Sequence, residues 1–169
     1  MTFDDEDRVF ENGEIRICDG EIIYVGPSSL EEDSAHDTVI NQTGHLLIPG
    51  LINAHTHSYS SLLKGTVERD PLDLYMLSII ATASAMSRRE IEVAASLDAV
   101  SMLLTGVTGV IDHYSERPAL SDDGLKAVRR GFEKVGIRAT IATMFADKPY
   151  IDTIPIKRET VPSEILDRY

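Results

Sequence analysis

Residues 46–57 read LLIPGLINAHTH, a nearly continuous apolar run that ends in two histidines one residue apart. Apolar runs without alternation are typical of a β-strand that is buried on both faces, as in a parallel sheet. Side chains two residues apart point to the same side of a strand, so we expect His55 and His57 to lie side by side. Ligands bind at this end of parallel strands, and neutral imidazole suits both zinc and iron. The run therefore predicts a buried strand over 46–54 that is followed by two metal ligands.

The histidine pair alone does not establish a metal site. Catalytic zinc is usually held by three protein ligands and a water molecule. Taken by itself, the tripeptide His55-Thr56-His57 fits two solvated loop histidines better than a metal centre. The preceding apolar strand with its Pro49-Gly50 step is what favours the ligand interpretation.

Alternating helices and strands follow the histidine pair. The predicted segments are a helix over 71–86, a helix that begins at a capping box over 87–90 and ends near Thr105, a strand over 107–112, a helix from Ser121 to Gly136, a strand over 137–142, and a further helix that begins at 161–164. Alternation of this kind predicts a parallel sheet with right-handed helical crossovers. The fold class is therefore α/β.

Short strands precede the apolar run. Two apolar segments over 14–18 and 21–25 flank Asp19-Gly20, which is a strong hairpin signal. A third strand is predicted over 38–40. Three short strands form a small antiparallel piece that buries little apolar surface by itself.

Composition limits the function classes. The chain has 169 residues and 18.6 kDa, and its 43% apolar and 26% charged residues are typical of a globular protein. A net charge of −12 argues against nucleic acid and anionic membranes as partners. No apolar run reaches the roughly 20 residues of a membrane span, and the acidic N-terminus does not resemble a signal peptide. Lone Cys18 excludes an internal disulfide framework and a thiolate zinc cluster, so we expect a cytoplasmic protein.

The sequence resembles the amidohydrolase superfamily. Residues 47–57 are similar to the motif of its first barrel strand, and Leu62-Leu63-Lys64-Gly65 resembles the subgroup of cytosine deaminase-like, adenosine-derivative deaminase-like and triazine hydrolase-like enzymes. Residues 106–112 are similar to the second barrel strand. The strand-rich residues 1–45 match the small β-sandwich with which members begin.

This resemblance implies a (β/α)8 barrel, preceded by strands of a small β-sandwich, and one divalent metal, zinc or iron. The residues that match His55 and His57 hold the metal in the family, together with a histidine after strand five and an aspartate after strand eight. The bound metal lowers the pKa of a water molecule, which attacks a carbon that bears an amine, an amide nitrogen or a halide. An acidic side chain moves the proton to the leaving group.

Only three barrel units are readable, at about 35 residues each, whereas eight such units need about 280 residues. We therefore expect residues 1–45 to form a partial β-sandwich and residues 46–169 to form the first three β/α units of a truncated barrel. The catalytic acid or base is expected beyond Tyr169. The isolated chain is accordingly expected to be inactive.

Substrate preference is inferred from one stretch in which the sequence departs from the nucleoside deaminases of this subgroup. Nucleoside deaminases of the subgroup carry a glutamate in the stretch that corresponds to residues 81–85, which here reads ATASA. We therefore expect deamination of a small cyclic amine or free heterocycle. Lys64 and His113 are the candidate substrate-binding residues, although His113 also fits a partly exposed loop histidine. Asp112 is expected to orient a neighbouring group or cap backbone amides.

Other roles and alternatives remain open. We expect Cys18 to be buried in a strand, and His36 and His45 to lie at the surface. One alternative is a cyclic-amide hydrolase of the hydantoinase type with two metals. Another is a non-catalytic barrel fragment completed by a partner chain. The expected partner is a small-molecule substrate, and a homo-oligomer is left open.

Overall fold

In the computed structural model, the residues whose structure is described are 1–2, 5–28, 38–66, 69–116, 119–145, 147–148 and 163. The chain divides into two compact units, Met1–Pro49 and Gly50–Tyr169. His36 lies outside the described residues, as does all of the predicted helix at 161–164 except Ser163. Among the described helices, none combines the length and apolar character that a bilayer crossing needs.

The first unit contains an antiparallel hairpin of β1 (Gly13–Cys18) and β2 (Glu21–Pro27). Asp19 and Gly20 connect the strands with φ values of 51° and 81°. Two consecutive positive φ angles are the signature of a type I′ turn, whose twist matches that of the flanking strands. The predicted hairpin is therefore confirmed.

Two predictions for this unit are wrong. Residues 38–40 form no strand, because so short a segment gains few ladder hydrogen bonds, and the described residues of this unit form a two-stranded sheet. Cys18 is exposed rather than buried, because it ends a hairpin whose apolar side chains are largely uncovered: Ile17 is 67% exposed. His45 is exposed, as expected.

The second unit is built on a parallel sheet in the order β3–β4–β5, with β3 over Leu51–Thr56, β4 over Val107–Tyr114 and β5 over Arg138–Thr143. The predicted parallel α/β arrangement is therefore confirmed. β3 begins five residues later than the predicted start at 46, since Pro49 has no N–H to donate. Gly50 lies so close to Thr108 that a Cβ on it would overlap the threonine side chain.

Burial of β3 on both faces is a further prediction that is wrong. Leu51 is 48% exposed and Ile52 is 75% exposed. Among the strands that the structure describes, β3 is at the edge of this sheet and has a neighbour on one side only.

Helices connect the strands. A 3-10 helix over Ser58–Leu63 and two α-helices, α1 (Leu72–Ala85) and α2 (Arg88–Leu104), lie between β3 and β4, and α3 (Asp122–Val135) lies between β4 and β5. The capping box at the start of α2 is confirmed, because the Ser87 side chain accepts from the Glu90 amide while the Glu90 carboxylate accepts from the Ser87 amide. α3 begins after its cap Ser121 and ends at Gly136, whose φ of 85° is left-handed.

The core of this unit lies where α2 meets α3. Gly131 of α3 allows close approach: a Cβ there would lie 2.6 Å from the Glu92 carbonyl oxygen and 2.7 Å from the Ala95 Cβ, both on α2. The buried apolar cluster consists of Tyr59, Ile79, Ile91, Ala95, Ala99, Met102, Val110, Tyr114, Ala127, Val128, Phe132 and Ile137. Tyr114 of this cluster lies at the carboxyl end of β4, so the core extends to that end of the strand.

Candidate metal centre

An irregularity in the β3–β4 ladder lies next to the first histidine. Asn53 pairs with Val110, and the next pair joins Thr56 to Asp112, so β3 has one extra residue within the interval that contains Ala54 and His55. An extra residue in one strand leaves local backbone groups unpaired and re-aims the side chains around it.

Side chains satisfy the backbone groups at this bulge. The His55 N–H donates to Asn53 Oδ1 at 3.1 Å, and the Ala54 carbonyl lies 3.2 Å from Nε2 of His113 on β4. A carbonyl oxygen only accepts, so His113 Nε2 carries the proton in this bond. The bulge is therefore held by one side chain from its own strand and one from the neighbouring strand.

The ring of His57 is fixed in a defined orientation. His57 follows β3 directly, and its Nδ1 lies 2.8 Å from the His113 carbonyl oxygen. Nδ1 must therefore carry the proton, which leaves Nε2 of the neutral ring with a free lone pair. This assignment follows from the hydrogen-bond partner. A histidine held in this way by a carbonyl has the tautomer that proteins use for metal ligation through Nε2.

Three imidazoles gather at this end of the sheet. The ring centroids of His55 and His57 are 4.9 Å apart at an interplanar angle of 85°, and those of His55 and His113 are 4.3 Å apart. The predicted juxtaposition of His55 and His57 is thus confirmed, whereas metal binding by them stays a prediction. His113 lies within β4 rather than in a loop, since β4 extends to Tyr114. In the part of the chain that the structure describes, no three His, Cys, Asp or Glu side chains are arranged as a complete metal site.

Two buried carboxylates hold the residues on either side of His57. Asp112 of β4 is fully buried and accepts from the Ser58 amide at 3.0 Å and from the Ser58 hydroxyl at 2.6 Å. Asp98 of α2 is 8% exposed and accepts from the hydroxyls of Thr56 and Ser61, each at 2.9 Å. The expected role of Asp112 in capping backbone amides is confirmed.

Burial raises the pKa of Asp112. Desolvation is the largest cause, and the two hydrogen bonds from Ser58 oppose it without cancelling it. The carboxylate of Asp98 raises the pKa further, and His57 lowers it. Asp112 is therefore kept in the fold at an electrostatic cost, which is typical of a residue that positions a functional site.

A cavity of about 100 Å³ lies beside His57. It is lined by His57, Tyr59, Tyr75, Met76, Ile79, Ile80, Ala83, Ser115 and Met144. None of these carries a carboxylate, an ammonium or a guanidinium.

The two candidate substrate-binding residues do not line this cavity. Lys64 is exposed, and its ammonium donates to the Ser101 hydroxyl of α2 at 3.3 Å. His113 is partly buried and is engaged with Ala54 and His55. Substrate contact by either residue stays a prediction.

Sequence reasoning missed Asp98 and Ser58. Asp98 is the polar member of a buried helical stripe that also contains Ala94, Ala95 and Met102. A carboxylate in an apolar stripe is a usable signal, because a buried charge needs partners. Ser58 gave no such signal, since its partner lies 54 residues away in sequence.

The residues present fit part of a metal centre. His57 offers Nε2 as a donor atom, and the His55 ring lies beside it at the carboxyl end of a parallel strand. Imidazole pairs suit zinc and iron, and catalytic sites require at least one further protein ligand.

Sequence comparisons find relatives of this chain among deaminases. The chain is 36% identical over 132 residues to a 5-methylthioadenosine/S-adenosylhomocysteine deaminase of Nitratidesulfovibrio vulgaris. The matched region covers 77% of this chain and 29% of that protein. It is 31% identical over 162 residues to the enzyme of the same name from Desulforamulus reducens, with 94% and 36% covered. The chain thus spans about a third of the length of these relatives.

Solved structures of related enzymes also match this chain. A mutant of atrazine chlorohydrolase from Arthrobacter aurescens TC1, complexed with zinc and atraton, matches with a TM-score of 0.70 at 28% identity, covering 83% of this chain and 32% of that one. A triazine hydrolase variant matches with the same TM-score at 26% identity. The amidohydrolase family model matches residues 46–168, the region that contains the parallel sheet and all three clustered histidines. This chain belongs to the amidohydrolase family.

Proposed function

We propose that this chain supplies one part of the active site of a metal-dependent amidohydrolase that removes an amino group from a small cyclic amine or heterocycle. The observation that carries the proposal is the pair of imidazoles, 4.9 Å apart, at the carboxyl end of a parallel strand and beside a cavity. This end of the strands is where (β/α)8 barrels bind their substrates. The proposal includes such a barrel, preceded by a small β-sandwich to which residues 1–45 contribute.

His55 and His57 would hold one divalent ion, zinc in the first instance and iron as the other candidate. When bound, the ion supplies a water molecule of lowered pKa as the nucleophile at neutral pH. The zinc in the structurally similar atrazine chlorohydrolase supports this choice of metal. The remaining ligands and the acid or base that moves protons are expected beyond residue 169.

This chain's own residues would orient the reaction. The His113 carbonyl fixes the His57 ring, and the Asp98 and Asp112 carboxylates fix the backbone on either side of it. Fixed ligands cost no reorganisation when charge develops at the substrate, which is how preorganised sites lower barriers. The apolar wall of the cavity would exclude bulk water from the same place.

The cavity supports a substrate without a sugar. Ribose hydroxyls need hydrogen-bonding partners, and a carboxylate is the strongest acceptor for them. At the place where α1 borders the cavity, the chain has Ile79, Ile80 and Ala83. The names of the curated relatives favour an adenosine derivative instead, so the substrate is the point on which an assay decides.

The test measures ammonia release by protein expressed from its complete coding sequence and supplied with Zn²⁺. The substrate panel contains free heterocyclic amines, cyclic amides and 5′-substituted adenosines. We expect turnover of the free heterocycles, its loss in His57→Ala, and its retention in the matched control His45→Ala, whose histidine is exposed in the first unit.

Other outcomes identify the alternatives. Ring opening of cyclic amides without deamination would indicate the hydantoinase type. A stable metal-free complex with a second chain and no turnover would indicate a non-catalytic fragment. Robust deamination by the isolated 169-residue chain would contradict the expectation that two ligands cannot fix a catalytic metal.

A further inference from the structure

We propose that His113 is a positioning residue for the metal ligand His55, and that it acts by donating from Nε2 to the Ala54 carbonyl across the β-bulge. The inference rests on the proposed function, because it concerns how firmly His55 is held for a metal. It assigns to His113 a task other than substrate contact.

The ladder explains why this position needs a side-chain donor. Between the pairs Asn53–Val110 and Thr56–Asp112, the extra residue of β3 leaves Ala54 out of register with β4. The Nε2–H of His113 reaches the Ala54 carbonyl at 3.2 Å, so a side chain of β4 takes the place of a ladder amide. Ala54 immediately precedes His55, and the orientation of the peptide group between them sets the direction in which the His55 side chain projects from β3.

A second contact joins His113 to the same ligand. The His113 ring stacks against the His55 ring at a centroid distance of 4.3 Å and an angle of 32°. The third contact, from His57 Nδ1, goes to the His113 backbone carbonyl and persists in any side-chain variant. The His113 and His57 ring centroids are also 6.2 Å apart, so substitutions at residue 113 alter that ring contact but keep the hydrogen bond that orients His57.

The exposure of Ala54 distinguishes a positioning role of His113 from a general contribution to the stability of the fold. The Ala54 residue is exposed, so water replaces the lost donor at little cost to folding. A water molecule does not hold the Ala54 carbonyl in one fixed direction, as the His113 side chain does. Removing the His113 donor should accordingly weaken metal binding more than it lowers stability.

Two variants divide the possible contributions of the side chain. His113→Phe keeps an aromatic ring against His55 but removes the donor. His113→Gln keeps an N–H donor of similar reach but removes the ring. The readouts are the zinc dissociation constant, measured by competition with a chelator, and the unfolding midpoint of the metal-free protein expressed from its complete coding sequence.

We expect zinc affinity to fall by on the order of tenfold in His113→Phe, the lower end of the usual effect of groups that orient metal ligands. The zinc affinity of His113→Gln should stay close to that of wild type, and the unfolding midpoints of both variants should be similar.

Unchanged zinc affinity in His113→Phe overturns the inference. Equal losses in both variants also overturn it, because the imidazole itself would then be what matters. A large parallel drop in the unfolding midpoint assigns a merely structural role. If the wild-type protein binds no zinc, the proposed function fails first, which distinguishes the two failures.

Discussion

Replacing Ser58 by alanine should weaken the fold in a pH-dependent way. The Ser58 hydroxyl donates to Asp112 at 2.6 Å, and both residues are completely buried. The variant leaves the carboxylate with the Ser58 amide as its remaining donor from that residue. A hydrogen bond to a charged group contributes about 1.5–3 kcal/mol, so we expect a loss of about 2 kcal/mol at neutral pH.

The sign of the pH dependence follows from the raised pKa of Asp112. The folded protein takes up this proton at a higher pH than the unfolded chain does, so stability rises as pH falls through the window between the two pKa values. Loss of the Ser58 hydroxyl removes a group that lowers the pKa of Asp112 in the folded protein. The pH interval between the folded and unfolded pKa values of Asp112 therefore widens. Below the folded pKa the carboxyl is neutral, and the missing bond costs only about 1 kcal/mol.

Urea unfolding from pH 8 down to about pH 4, close to the ordinary Asp value of 3.8, measures this effect. The midpoint of Ser58→Ala should lie about 1 M below wild type at pH 8, for a urea dependence of about 2 kcal/mol per M. The difference should narrow as the pH decreases. Ser101→Ala is the matched control, because its hydroxyl bonds to the Leu97 carbonyl of α2 and to the Lys64 ammonium rather than to a buried carboxylate. A pH-independent difference, or one no larger than that of the control, would refute the reasoning about Asp112.

Three further changes test other parts of the structure by unfolding and metal titration. Gly131→Ala places a methyl group 2.7 Å from the Ala95 Cβ, so it should cost about 1–3 kcal/mol although alanine has the higher helix propensity; an unchanged midpoint would contradict the close packing of α2 and α3. Ser87→Ala removes the cap of α2 and should cost about 1 kcal/mol, whereas Ser87→Asp should retain most of the stability; equal losses would argue against the cap. Asp98→Ala leaves the Thr56 hydroxyl without its carboxylate and should lower zinc affinity as well as stability, and an effect on stability alone would restrict Asp98 to a structural role.

Local sequence signals predicted most of the architecture of the second unit. The capping box at Ser87, the cap at Ser121 and the left-handed Gly136 act over a few residues, so their consequences are visible in the sequence. The hairpin at Asp19-Gly20 belongs to the same class. Each of these elements was predicted within a few residues of its observed bounds.

Errors arose where the outcome depends on distant partners. The three-residue segment 38–40 has strand-forming residues, but a strand needs a neighbour that no local pattern supplies. The exposure of Cys18 depends on what covers the hairpin rather than on the cysteine itself.

The same division applies to the candidate site. The spacing of His55 and His57 predicted two adjacent rings, and the structure contains them. The bulge was not predictable, because the His113 side chain that bonds to the Ala54 carbonyl comes from the neighbouring strand, 59 residues away in sequence. The Asp98 and Asp112 contacts likewise join helix, strand and loop over more than 35 residues.

Metal analysis of the protein expressed from its complete coding sequence tests the central claim most directly. The claim is that His55 and His57 bind a common divalent ion. It predicts one zinc or iron per chain in the wild-type protein and in His45→Ala, and loss of that ion in both His55→Ala and His57→Ala while each variant keeps its fold. A folded His55→Ala or His57→Ala protein that retains a full equivalent of metal would contradict the claim.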